Sequence, residues 1–111
     1  MTTRRTRRAT RGSVDALPFI EDLMGGRITI GGLIEAIRRG EEVTQSEFAA
    51  QLGVSKSHLC DIEKGRKVVS PERAARFAEL LGYSADQFVR LALQDAVDKA
   101  GLHYTVQVTA A

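Results

Sequence analysis

The sequence predicts an all-α fold, one compact domain with a short C-terminal β-strand and a disordered basic N-terminal arm. Three observations lead to it: helix-start signals recur along the chain, apolar residues fall at helical spacing after each, and an arginine run is confined to one end. At 111 residues the chain suits a single modest core. There is no Trp and aromatics are few, so that core must come mainly from Leu, Ile, Val and Ala. One Cys excludes an intrachain disulfide framework and fits a reducing compartment. No apolar run approaches the roughly 20 residues of a membrane span. No apolar stretch follows the Arg-rich start, as a secretory signal would require. A soluble, cytoplasmic protein without a membrane partner is expected.

Residues 1–13 form the arm. Arg4, Arg5, Arg7, Arg8 and Arg11 put five positive charges and no acid into the first 12 residues. The remainder holds eleven basic against fourteen acidic residues, net −3, although the whole chain is +2. Such a run is either a solvated tail or an arm that lies along phosphates. Residues 14–29 read as a short helix and linker. Asp15 is a candidate cap, Leu17, Ile20, Leu23 and Met24 share one side, and Gly25-Gly26 ends the helix.

The main domain is expected over 30–100. Ile30, Leu33, Ile34 and Ile37 recur at i, i+3, i+4 and i+7, which makes one helix face, with Thr29 as N-cap and a stop at Gly40. Gly31 and Gly32 weaken its first turn. Thr44-Gln-Ser-Glu47 has the pattern of a capping box, and so has Ser84-Ala-Asp-Gln87. Ser70-Pro71-Glu72 sets a cap, then Pro at the first helical position, then an acid near the positive end of the helix dipole. Gly82 stands where a helix C-terminal glycine belongs. After Gly101, Tyr104, Val106 and Val108 alternate with His103, Thr105 and Gln107, which predicts a strand over about 103–109. A lone strand is unstable and needs a partner.

Between Thr44 and Gly65 the spacing becomes specific. A helix over 44–52 ends at Leu52-Gly53-Val54, and Ser55 caps the next, over about 56–64. Gly53 takes a left-handed turn without strain. Ala49, four residues earlier, is small enough for the two helices to touch. This is the pattern of a helix-turn-helix. Around it, Lys56, Lys64, Arg66, Lys67, Arg73 and Arg76 stand against Asp61, Glu63 and Glu72, a local +3 in an otherwise acidic domain. Basic groups at a helix start and in the following loop suit phosphates on both sides of a DNA groove.

The stretch TQSEFAAQLGVSKSHLCDIEKGRK, with SPERAARFAELLG after it, resembles the Cro/repressor-type (XRE) helix-turn-helix family over residues 30–92. The resemblance implies a five-helix Cro/repressor-like DNA-binding domain whose recognition helix begins at Ser55 and lies in the major groove of double-stranded DNA. It implies that Gln45 holds a phosphate and braces the recognition helix, and that Lys56 and Ser57 touch bases. Lys64, Gly65, Arg66 and Lys67 match the loop that holds the DNA backbone through amides and basic side chains. Arg38 and Glu63 match a buried ion pair with a structural role. The resemblance also puts Asp61, one turn further on, within reach of the groove, where an acid tolerates only a cytosine amino group or a braced Arg.

No metal or cofactor is expected. His58 and Cys60 are two apart on one helix and point roughly 200° from each other, so they cannot share an ion. Cys60, beside Leu59 and Ile62, reads as a small, partly buried hydrophobe. His58 either contacts phosphate or has no part. No catalytic constellation is present, which argues against an enzyme. On the last helix Phe88, Val89, Leu91, Ala92, Leu93 and Ala96 spread over an arc of roughly 200°, wider than one core face needs. That arc is either covered by the arm and the 14–24 segment or is an oligomer surface. In the second case Val89 and Leu93, with Tyr104, Val106 and Val108 of the segment 101–111, would join two chains into a homodimer that reads a palindromic operator as a repressor. The alternative is an antitoxin: the run from Ser57 to Val108 resembles the subgroup of the family that represses its own operon and covers a toxin of the RelE/Hig type.

Overall fold

The computed structural model describes residues 28–111, so the Arg-rich arm and the helix expected over 14–24 lie outside the described residues. Five helices follow in order: α1 Ile30–Gly40, α2 Gln45–Leu52, α3 Lys56–Glu63, α4 Pro71–Leu81 and α5 Ala85–Lys99. Their starts are chemical. Thr29 Oγ1 accepts from Gly32 N, Ser55 Oγ from His58 N, and Ser70 Oγ from Arg73 N. At α2 both halves of the box close, Glu47 N donating to Thr44 Oγ1 and Thr44 N to Glu47 Oε1. At α5 the expected box does not close. Ser84 makes no side-chain cap, and the Gln87 carbonyl instead accepts from Arg90 Nε at 3.3 Å.

α4 and α5 pack most extensively, α2 and α3 form the helix-turn-helix, and α1 lies against both α3 and α5. Among the described residues Phe48, Phe77 and Phe88 are the largest that are fully buried, within a shell of Leu, Ile and Ala. Each buried Phe of α2, α4 and α5 removes enough apolar area from water to stabilise the fold by about 2–3 kcal/mol. No helix among the described residues is long and apolar enough to cross a membrane.

The expected strand at 103–109 is not formed, and residues 102–111 hold no regular secondary structure. A strand needs the backbone ladder of a second strand, and the described residues contain none. A side chain takes part of that role. Gln94, 1% exposed, donates from Nε2 to Tyr104 O at 2.8 Å and accepts Val106 N on Oε1 at 2.8 Å. The tail is therefore pinned to α5 by one amide.

Candidate nucleic-acid interface

α3 has two contrasting faces. Leu59 and Ile62 are fully buried and anchor it, with Glu63 beside them. At about 100° per residue, Ser57, Asp61 and Lys64 fall within about 60° of one another and nearly opposite Leu59. Ser55, Lys56, Ser57, Lys64, Arg66 and Lys67 are exposed, while His58, Cys60 and Asp61 are half-buried. The turn before α3 is as the spacing predicts: Gly53 has φ 74° and its amide donates to α2 carbonyls. Ala49 is buried and its carbonyl accepts from Val54 N at 3.0 Å, which closes the joint.

The inner end of α3 is held by an ion pair at the two positions that the resemblance singled out. Arg38 Nε donates to Glu63 Oε2 at 2.8 Å and Nη2 to Oε1 at 3.1 Å, a bidentate pair between α1 and α3. Gln45 Nε2 adds a third bond to Glu63 Oε1 at 3.0 Å, and Arg38 Nη1 donates to Val43 O at 3.3 Å. The Glu63 hydrogen bond, with its charge, raises the Arg38 guanidinium above its ordinary value against the opposing effect of burial. Gln45 thus braces α3 directly.

On the outer side, Arg66 Nε donates to Asp61 Oδ1 at 2.9 Å and Nη2 approaches Cys60 Sγ at 3.7 Å. Asp61 is thus paired with an arginine from the loop after its own helix. The Asp61 hydrogen bond and charge raise the Arg66 guanidinium above its ordinary value. The loop amides, which the resemblance gave to the DNA backbone, are used internally: Arg66 N and Lys67 N both donate to Asp61 O, and Gly65 N to Ile62 O. The side chains of Lys64 and Lys67 are left facing outward. Arg73 Nη1 lies 3.1 Å from His58 Nε2, tying the first turn of α3 to α4. Arg73 and Arg76 line an open groove between α4 and the turn at Gly53-Val54, so their charge adds to that of the α3 start.

The supporting roles of four residues were not expected from the sequence. A Cβ on Gly31 would stand 2.1 Å from Ile62 O, so the glycine at the start of α1 permits a close crossing over α3. Asp95 Oδ2 accepts Ile30 N at 3.0 Å, capping α1 from α5, and Lys99 Nζ donates to Gly65 O at 2.9 Å, holding the loop after α3. Gln94 is the fourth. A glycine pair where a helix should start, and a Gln inside an apolar arc, were the available signals; Asp95 and Lys99 gave none, because their partners are 65 and 34 residues away. Val89, Leu93, Val106 and Val108 are half-buried, and Tyr104 is 67% exposed. Among the described residues no group of three or more His, Cys, Asp or Glu is placed to hold a metal ion.

The helix-turn-helix domain family matches residues 29–91, from the Thr29 cap to the middle of α5, more than half of the chain. The chain belongs to the XRE-type helix-turn-helix family of DNA-binding domains. This helix-turn-helix protein is also 38% identical over 52 residues to the ImmF control region 10 kDa protein of Bacillus phage phi105. That alignment covers 47% of the chain and 58% of the relative, so the chain spans little more than half the length of the curated relative it matches. No solved structure matches the chain significantly.

Proposed function

We propose that the protein is a transcriptional regulator, a repressor that binds double-stranded DNA by placing α3 in the major groove. The observation that carries this reading is the outward face of α3: its polar and basic side chains are exposed while its other side is locked to α1 and α2. Lys56 and Ser57 read bases at the first turn, and Lys64 and Lys67 hold phosphates beyond its end. Ser55 caps the helix, and its aligned amides favour a nearby phosphate. The match to a phage control-region protein supports a regulatory role.

A homodimer on a palindromic operator is the assembly that fits one reading helix per chain. Val89 and Leu93 on α5, with Val106 and Val108 of the tail and the exposed Leu102 and Tyr104, supply its apolar surface. Removing residues 101–111 should leave monomers with weakened operator affinity, read by sedimentation and by titration of labelled DNA. A truncated protein that still sediments as a dimer removes the tail from the interface. A wild-type monomer that co-purifies with a small RNase-like neighbour gene product would favour the antitoxin reading instead.

The DNA-binding reading is tested by fluorescence anisotropy with the protein's own upstream region across a salt series. Lys64→Ala and Lys67→Ala should each weaken binding to all sequences and flatten the log–log salt slope by about one. Binding that is unaffected by both changes would contradict the placement of the backbone contacts.

A further inference from the structure

We propose that Arg66 reads a guanine, aimed by Asp61; this rests on the DNA-binding reading above and assigns it a base pair. By sequence Arg66 belongs to the loop after α3, where a phosphate contact is the simple expectation. The structure folds its guanidinium back onto the helix: both groups that receive it, Asp61 Oδ1 at 2.9 Å and Cys60 Sγ at 3.7 Å, belong to α3. Asp61 lies between Ser57 and Lys64 on the outward face, so the guanidinium sits over the face that would enter the groove. The same residue fixes the root of the side chain, since Arg66 N donates to Asp61 O at 2.8 Å, and Gly65 at φ 78° makes the tight return. The Arg66 side chain remains 57% exposed, against 29% for Asp61, so its tip is open to a partner.

The chemistry then selects the partner. With Nε committed to Asp61, the terminal Nη1 and Nη2 present an end-on fork. That fork matches O6 and N7 of guanine in the major groove. A carboxylate this close to a phosphate would be repelled, whereas cytosine N4 of the same G·C pair offers it a donor. Asp61 Oδ2, which accepts from no described group, is free to take that donor. The Asp61–Arg66 pair therefore complements a G·C pair as a unit.

The test is anisotropy titration of a DNA site selected by the wild-type protein, together with every single-base-pair substitution of it. Wild-type protein should lose about tenfold or more when one particular G·C pair per half-site is changed. Arg66→Lys keeps the charge but not the fork. It should bind all the substituted sites within about twofold of one another at that position, with an unchanged salt slope. Asp61→Asn should tighten binding to unrelated DNA, by removing a negative charge, while reducing the G·C preference. Lys67→Ala should weaken every site evenly and keep that preference. If Arg66→Lys and Arg66→Ala retain the full G·C preference and lose affinity evenly, Arg66 is a phosphate contact and the inference is overturned. Wild-type protein that binds no DNA overturns both this inference and the reading it rests on; specific binding with an even loss overturns this one alone.

Discussion

Asp61 and Glu63 are two residues apart on α3 and face opposite environments. Glu63 is turned inward, its side chain 2% exposed, and receives three hydrogen bonds from Arg38 and Gln45. Asp61 is turned outward, 29% exposed, and receives the Nε of one exposed arginine. The inner carboxylate has left water, so its partners are essential to the fold. The outer one keeps solvent, so its pairing positions a side chain and contributes little to stability. One helix thus carries an ion pair turned into the fold and another turned to solvent, separated only by the 200° turn between positions i and i+2.

The sharpest way to break that contrast is to remove each acid. Glu63→Ala leaves Arg38 buried without its counter-ion and should cost about 3–5 kcal/mol of unfolding free energy in urea. Asp61→Ala should cost less than about 1 kcal/mol. Equal losses would mean that the two faces do not differ in kind. A second, smaller effect concerns the crossing that seats α3 on α1. Gly31→Ala places a methyl against Ile62 O and forces the helices apart, a loss of about 1–3 kcal/mol by the same measurement.

The smallest effect sharpens the role of α5 in holding the inner side. Burial raises the Asp95 carboxyl above its ordinary value, opposed by the Ile30 amide and the Lys99 charge. The folded chain therefore keeps that proton to higher pH than the unfolded chain. The stability contributed at this position is full below the ordinary carboxylate value and is lost as pH rises through the raised one. Asp95→Asn retains an acceptor for Ile30 N and should erase that component of the pH dependence, whereas Asp95→Ala should erase it too and lie about 1 kcal/mol below Asp95→Asn at every pH by orphaning the amide. Urea midpoints across the acidic to neutral range distinguish them.

Local chemistry was legible in the sequence, and distant pairing only where a family pattern supplied it, as for Arg38 and Glu63. The caps at Thr29, Thr44, Ser55 and Ser70, the turn at Gly53 and the ion pair of Arg38 with Glu63 could be read because each depends on near neighbours or a family pattern. The box at Ser84 does not form, and the Gln87 side chain pairs with Arg90 instead. The alternation at 103–109 reports a preference for extended backbone, which becomes a strand only where a second strand lies beside it. Here the tail lies beside Gln94 of α5 and not beside a strand. Asp61 could be narrowed to two kinds of partner from the resemblance and its charge, but which arginine it pairs with required the position of Arg66.

The outward face of α3 as the reading surface is tested most directly by selection from random-sequence DNA, run in parallel for wild-type protein and the Lys56→Ala/Ser57→Ala double variant. The wild type should enrich an inverted repeat whose half-sites lie about one helical turn, 34–36 Å, or a multiple of it apart. The double variant should still bind DNA but lose base preference at the positions those side chains face. Enrichment of the same repeat, with unchanged preference at every position, would contradict the assignment of the first turn of α3 as the reading head.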